Sequence, residues 1–230
     1  METFGTIIVS IVPLVFIIRM NEELKNILKK VKDLYFRYGI KSVTMDDVSR
    51  ELGISKKTLY QYVVDKNDLV VKVVDLELDE SCCSLDTLFS DKINAIEQLF
   101  DAHKYVHQMM KDYSPVSDYD LKKYYPDIFR KLHKVRRERM YEVMLTNLRK
   151  GKNEGLYREE LNEDILAKLH VSRIENAFDS ELFTTEEKTS MKVFYEFFIY
   201  HIRGIANENG IKLLEEKLKN KEHNLYYNQQ

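Results

Sequence analysis

Within eight residues, Ser55 to Tyr62, this chain places Ser55, Lys56, Lys57, Thr58, Tyr60 and Tyr62. These types suit one chemistry. An ammonium group reaches a phosphate oxygen or the O6 and N7 of guanine. A threonine hydroxyl meets phosphate, and its methyl meets the methyl of thymine. A phenol donates to phosphate while its ring packs on sugar. Lys66 follows at the head of a helical pattern, where its charge opposes the helix dipole; a phosphate that needs both the lysine and the helix N-terminus explains it. Thr44, upstream, heads another helical pattern and offers a hydroxyl at a second helix N-terminus.

The elements that must position these groups are legible around them. Leu24, Ile27, Leu28, Val31, Leu34, Tyr35 and Tyr38 repeat at three- and four-residue steps, an amphipathic helix of about five turns. Gly39 stands where a helix-terminating glycine belongs. Thr44 and Asp47 have the spacing of a capping box, and Met45, Val48 and Leu52 face inward. Gly53 supplies the turn and Ile54 its buried residue. Ser55 caps a third helix of two turns, held by Leu59 and Val63. Asp65 caps a fourth, from Lys66 through Leu78. Two short helices around a glycine turn make a helix-turn-helix, and its second helix carries the lysines and tyrosines. Leu59 supplies the inward contact, so Tyr60 and Tyr62 cannot both be core.

The run T-x-x-x-V-S-x-x-L-G-I-S-K-K-T-L-Y-x-Y-V-x-x-K-x-x-L from Thr44, preceded by F-x-x-Y-G-I-K-S-V-T, resembles the DNA-binding signature of the TetR/AcrR family of transcriptional regulators. The motif covers about Leu24 to Leu69. Tyr124-Tyr125-Pro126, Gly151 to Arg158 and Arg203-Gly204-Ile205-Ala206 resemble that family's regulatory half more loosely, and Val63 stands where many members have Phe. By position the resemblance implies that Thr44 holds a phosphate, that Lys56 and Lys57 reach base edges, and that Thr58 meets phosphate or a thymine methyl. Tyr60 and Lys66 anchor the backbone, with Ser55 and Tyr62 in the same interface. It also implies an all-α fold: an N-terminal three-helix DNA-binding domain over residues 20–65, followed by a larger helical ligand-binding and dimerisation domain over 66–230. The expected partners are a double-stranded, pseudo-palindromic operator, a second copy of the chain and a small-molecule ligand.

Dimerisation is expected through helices starting near Asn162 and Thr185, with Ile174, Phe194, Tyr195, Phe197, Phe198 and Ile202 at the interface. The second of these helices is apolar on more than one side, too greasy for one-sided packing. Phe100, His103, His107, Met110, Phe129, Met140, Tyr141, Met144 and Phe178 are candidate lining for a ligand cavity. Their mixed polarity suits an amphipathic organic ligand, although such side chains at helical spacing equally suit a core. His103 and His107, at i and i+4, have no Glu or Cys at a spacing that completes a metal site, and no metal or other cofactor is expected.

Composition agrees. The 230 residues include only seven Gly and three Pro, which favours helices throughout; 44% are apolar and 32% charged. Net charge is −2, but the segment from Met20 to Lys66 holds ten bases and seven acids, so a basic reader is joined to an acidic body. Adjacent Cys82 and Cys83 suit a reducing cytoplasm rather than a disulfide or zinc site. No phosphate-binding loop, dinucleotide turn, nucleophile elbow or zinc-protease motif occurs, which argues against an enzyme. A regulator that answers to a protein partner, without a small-molecule pocket, is the alternative. Residues 1–19 do not match the rest. Thr6 to Ile18 is apolar apart from Ser10, but is broken by Pro13 and too short to span a bilayer. Met20 reads as the natural start, with 1–19 a non-native or disordered extension and no membrane insertion expected; the rival reading is a membrane-associating extension.

Overall fold

The computed structural model describes residues 22–89, 92–111, 114–179, 182–188 and 190–219. The extension at 1–19 lies outside them. Eleven helices are present among these residues, and the only β feature is an isolated antiparallel bridge between Tyr157 and Ala206.

α1 (Glu22–Tyr38) buries Ile27, Leu28, Val31, Leu34 and Tyr35, the stripe its periodicity predicts. It ends at Gly39, whose φ of 80° is open to glycine at little cost. α2 (Met45–Leu52) begins with the expected box: Asp47 N–H donates to Thr44 Oγ1 at 3.2 Å, and Thr44 N–H donates to Asp47 Oδ2 at 2.9 Å. Gly53, at φ 67°, turns the chain, and Ile54 N–H closes on Ser49 O at 3.1 Å. α3 (Lys56–Leu59) is shorter than the two turns expected. Past Leu59 the backbone tightens to i→i+3 bonds, Gln61 N–H to Thr58 O and Tyr62 N–H to Leu59 O, both 3.0 Å.

α4 (Lys66–Leu88) is capped by Asp65 and runs ten residues past the expected Leu78; α5 (Ala95–Lys111) follows. Pro115 does not break α6 (Pro115–Tyr124). Ser114 caps that helix and the proline occupies its first turn, where a missing N–H costs nothing. Pro126 likewise opens α7 (Pro126–Asn153). α7 carries Gly151 inside its last turn, because the ring of the fully buried Tyr157 lies against that glycine and leaves no room for a Cβ. α8 (Glu163–Asp179), α9 (Thr185–Lys188), α10 (Met191–Ile205) and α11 (Glu208–Lys219) follow, with Gly204 inside α10 and Gly210 inside α11.

Two cores form. The first joins α1 to α4 and runs past residue 65, taking in Leu69 to Leu78 of α4, Leu121 of α6 and Leu132 of α7. The second joins α5, α7, α8, α10 and α11 around Ile96, Phe100, Met144, Leu148, Ile202 and Leu214. A buried polar knot pins the second. Asn147 Nδ2 donates to Ala95 O (2.8 Å) and Gln98 Oε1 (3.0 Å), and Tyr157 donates its hydroxyl to Asn147 Oδ1 (3.0 Å). Both Asn147 and Tyr157 are fully buried, so each bond satisfies a group that water cannot reach.

α6 is fastened to the end of α1 by three side chains at three-residue steps. Ser114 donates to Phe36 O (3.0 Å), Ser117 donates to Tyr35 O (2.5 Å), and Asp120 Oδ2 accepts Lys41 N–H (2.7 Å). Two of the last carbonyls of α1 are thus met by hydroxyls from the start of α6, Tyr35 O in addition to the Gly39 N–H it accepts at 2.9 Å.

Candidate nucleic-acid interface and regulatory body

The capping bonds that start α2 and α3 also fix what those helices present. Thr44 and Ser55 are exposed at the two N-termini. Ser55 Oγ accepts Thr58 N–H at 3.0 Å and lies 2.8 Å from Thr58 Oγ1, so the front of α3 is held by short polar side chains. Leu59 and Val63 are buried, which turns Lys57 and Tyr60 outward. Tyr60 is 48% exposed, and Lys57 is exposed with no ion pair among the described residues.

Lys56, its neighbour, bends back onto α2 and pairs with Asp46 at 2.6 Å; that hydrogen bond raises the lysine's pKa. Tyr62 is half-buried against the first core, and the hydrogen bond its hydroxyl donates to the Glu23 carboxylate of α1 raises its pKa, so its phenol is turned toward α1. Of the two tyrosines, Tyr60 is the one left for solvent. Lys66 is half-buried at the head of α4 and donates to Lys41 O at 3.2 Å. Burial, then the nearby Lys41 ammonium, lowers its pKa, against the opposing pull of Asp120 and Asp47. The outward groups are therefore Thr44, Lys57 and Tyr60, with Lys56 tethered and Lys66 anchored beside Lys41.

The predicted cavity residues divide. Phe100, His103 and Met144 come together in the second core, joined by two residues expected at the dimer interface. Phe198 meets Phe100 edge-on at 4.9 Å and stacks on His103 at 4.7 Å, and Tyr195 lies 5.9 Å from the same imidazole. Phe129 belongs to the first core, 4.1 Å from the ring of His133. Tyr141 is half-buried and donates to Asp164 Oδ1 at 2.7 Å, toward α8. Met140 and His107 are half-buried, while the side chains of Met110 and Phe178 lie outside the described residues. Among the described residues no group of three His, Cys, Asp or Glu is placed to hold a metal, and no helix is long and apolar enough to cross a membrane.

The expected dimer residues divide as well. Ile202 is fully buried, and Tyr195 and Phe198 face the aromatic cluster, so these three pack inside the subunit. Ile174, Phe194 and Phe197 are half-buried. The open apolar groups are others: Ile165 and Leu169 of α8 (53% and 58% exposed) and Tyr200 of α10 (72%). Arg173, one helical step beyond Leu169, stacks on Phe197 and Tyr200 at 5.5 and 5.9 Å. Beneath them His170 and His201 meet ring to ring at 4.4 Å. Burial first, then the Arg173 charge, pushes the His201 imidazole down to about 3; burial, then His201, lowers His170 as well. The sequence signal for this face is the stripe Ile165, Leu169, Arg173 at four-residue steps, which is weaker than the aromatic run of α10.

Comparison with known proteins covers both halves. Residues 27–73, which span the whole helix-turn-helix and the start of α4, match the family model of bacterial regulatory proteins of the tetR family. An uncharacterised HTH-type transcriptional regulator of Bacillus subtilis, YvaF, is 28% identical over 152 residues, 64% of this chain and 79% of that protein. A transcriptional regulator from Cytophaga hutchinsonii superimposes with a TM-score of 0.68 at 18% identity, covering 81% of this chain and all of the other. A transcriptional regulator from Saccharomonospora viridis, solved in complex with choline, gives a TM-score of 0.60 at 18% identity over 81% of this chain and 99% of its own. Residues 27–73 thus carry the helix-turn-helix motif of tetR-family regulatory proteins, and the described body has the all-helical fold of solved transcriptional regulators.

Proposed function

We propose that the protein is a homodimeric repressor of the cytoplasm that reads a pseudo-palindromic operator with the Lys57 face of α3 and is released from it by a small amphipathic organic ligand. The observation that carries this reading is the outward set Thr44, Lys57 and Tyr60 on a reader held to the body by the Ser114, Ser117 and Asp120 bonds. Lys57 is the base-reading group, worth about 1–3 kcal/mol of discrimination for a good guanine contact. Thr44, Ser55, Thr58, Tyr60 and Lys66 hold phosphate. Lys56 joins Lys57 at the base edges by exchanging Asp46 for DNA, and Tyr62 contributes by supporting α3 against α1.

One reader contacts few phosphates, so two act together in successive major grooves about 34–36 Å apart. The half-buried Ile174, Phe194 and Phe197, with Ile165, Leu169 and Tyr200, form the face that joins the copies. The ligand parts the rings of Phe100, His103 and Phe198, favouring a body conformation whose α6 carries α1 and the reader off the half-site spacing. The choline held by the Saccharomonospora viridis regulator is an example of a small ligand on this fold.

Selection of bound sequences from random DNA, followed by titration of the selected operator and a scrambled duplex, tests the reading. Lys57→Ala is expected to lose operator preference while keeping non-specific affinity; Tyr60→Phe is expected to weaken both. Equal loss on both duplexes for Lys57→Ala would remove it from base reading. A second reading, control by a protein partner without a small-molecule pocket, is favoured by the ring-to-ring packing of Phe100, His103 and Phe198. Operator release by small amphipathic compounds in the absence of other protein would decide against it.

A further inference from the structure

We propose that the C-terminal end of α6, through Lys123 and Tyr124 together with Lys41, is a second contact for the DNA phosphate backbone, so that the regulatory body itself grips the operator beside the reader. This rests on the DNA-binding reading above.

The observation is a chain of cations and rings that begins at the reader. Lys66, at the head of α4, donates to the carbonyl of Lys41 at 3.2 Å. The Lys41 ammonium lies 4.6 Å over the ring of Tyr124, which is 41% exposed. Lys123 lies 5.3 Å from that same ring, 5.1 Å from the ring of the exposed Tyr119, and donates to the Tyr119 hydroxyl at 2.9 Å. Three ammonium groups thus follow one another across two rings, with Asp120 and Asp47 within electrostatic reach of Lys66 but in no ion pair with it among the described residues. None of the three forms an ion pair among the described residues; Lys104, Lys131, Lys150, Lys152, Lys168 and Lys217 of the body are paired, while Lys92, Lys122, Lys192, Lys212 and Lys219 are not, and what sets these three apart is their succession across the Tyr124 and Tyr119 rings. Asp120 is buried, and its Oδ2 accepts the Lys41 N–H.

The helix dipole accounts for a lysine in the last turn of α6 but not for Lys41 or for the rings. Clustered, unneutralised cations repel one another and are stabilised by a polyanion. Lysines interleaved with tyrosines are the surface a sugar-phosphate backbone fits, charge to phosphate and ring to sugar. Continuity with Lys66 commits the occupant to the same duplex, at phosphates flanking the half-site.

The test is the salt dependence of operator binding by the full-length protein. Each lost phosphate contact lowers the magnitude of the slope of log K against log salt by about 0.9, so one contact per subunit in a dimer lowers it by about 1.8. Lys123→Gln is expected to give that drop, with equal loss of affinity on operator and scrambled DNA and with hydroxyl-radical protection outside the half-site removed. Lys123→Arg is expected to restore the slope. Lys104→Gln removes the same charge from a distant helix and is expected to leave it unchanged; thermal melts confirm that each variant is folded. A Lys123→Gln slope equal to wild type or to Lys104→Gln, alongside operator preference that depends on Lys57, overturns this inference alone. Failure of the wild-type protein to prefer any sequence overturns the reading beneath it as well.

Discussion

Replacing Gly39 by alanine probes the joint between reader and body. Two costs meet at this residue. Its φ of 80° is one that an L side chain adopts at about 1–2 kcal/mol. A Cβ there would also stand 2.8 Å from Val116 Cγ1 and 2.9 Å from Asp120 Oδ2. Val116 is exposed and can rotate away. Asp120 cannot, because that oxygen accepts the Lys41 N–H at 2.7 Å; moving it gives up a charge-assisted hydrogen bond worth about 1.5–3 kcal/mol. The two terms together come to about 2.5–5 kcal/mol. Gly155 separates them, for its φ is 66° and a Cβ there meets nothing within 4 Å, so Gly155→Ala carries the backbone cost alone. In a chain of this length each kcal/mol moves Tm by about 2–4 °C. A difference near 2 kcal/mol therefore puts Gly39→Ala roughly 4–8 °C below Gly155→Ala in parallel thermal melts. Equal melting of the two variants would refute the claim that α6 closes on the α1–α2 connection through Asp120.

Tyr157→Phe strands the buried Asn147 Oδ1 without a donor and is expected to cost about 1–2 kcal/mol in urea unfolding, with Asn147→Ala costing more because Ala95 O and Gln98 lose their donor too. His201 is held neutral in the fold by burial, at about 3 against an ordinary 6.5, so its contribution is complete above pH 6.5 and is lost as pH falls from 6.5 toward 3, where the unfolded chain takes up the proton first. Melts across that window are expected to fall by roughly 1 kcal/mol per pH unit per subunit from this group, and less steeply in His201→Gln; an unchanged slope would show that acid acts elsewhere. Leu169→Lys with Tyr200→Glu places charge on the open face of α8 and α10 and is expected to yield a monomer by light scattering, with operator affinity reduced; an intact dimer would move the interface to another face.

What the residues disclosed, and what they withheld, follows from how far each constraint reaches along the chain. The helix-turn-helix was legible because local chemistry dictates it: Thr44, Ser55 and Asp65 each cap the helix that follows within three residues, and Gly53 needs only its own φ. The roles of α3's side chains were half legible. Leu59 and Val63 set which side faces in, but that Lys56 would pair with Asp46 and Tyr62 with Glu23 depends on partners ten and thirty-nine positions away. The body resisted because a helix buried on most sides has no polar face to orient it. In α10 the period marks Tyr195, Phe198 and Ile202 as one stripe. Only contact with Phe100 and His103 shows that this stripe turns into the subunit, leaving the outer face to Tyr200, on which Arg173 of α8 stacks. Prolines are ambiguous for a related reason: a proline breaks a helix in its middle but begins one at its first turn, as Pro115 and Pro126 do. Which applies is decided at Pro115 by the Ser114 side chain, whose hydroxyl both caps α6 and reaches the carbonyl of Phe36. That double use ties the start of a body helix to the end of a reader helix. The same junction supplies the Asp120 bond and the lysine–tyrosine chain at Lys41, so the surface that couples the two halves is also the one that extends the reader's positive face onto the body.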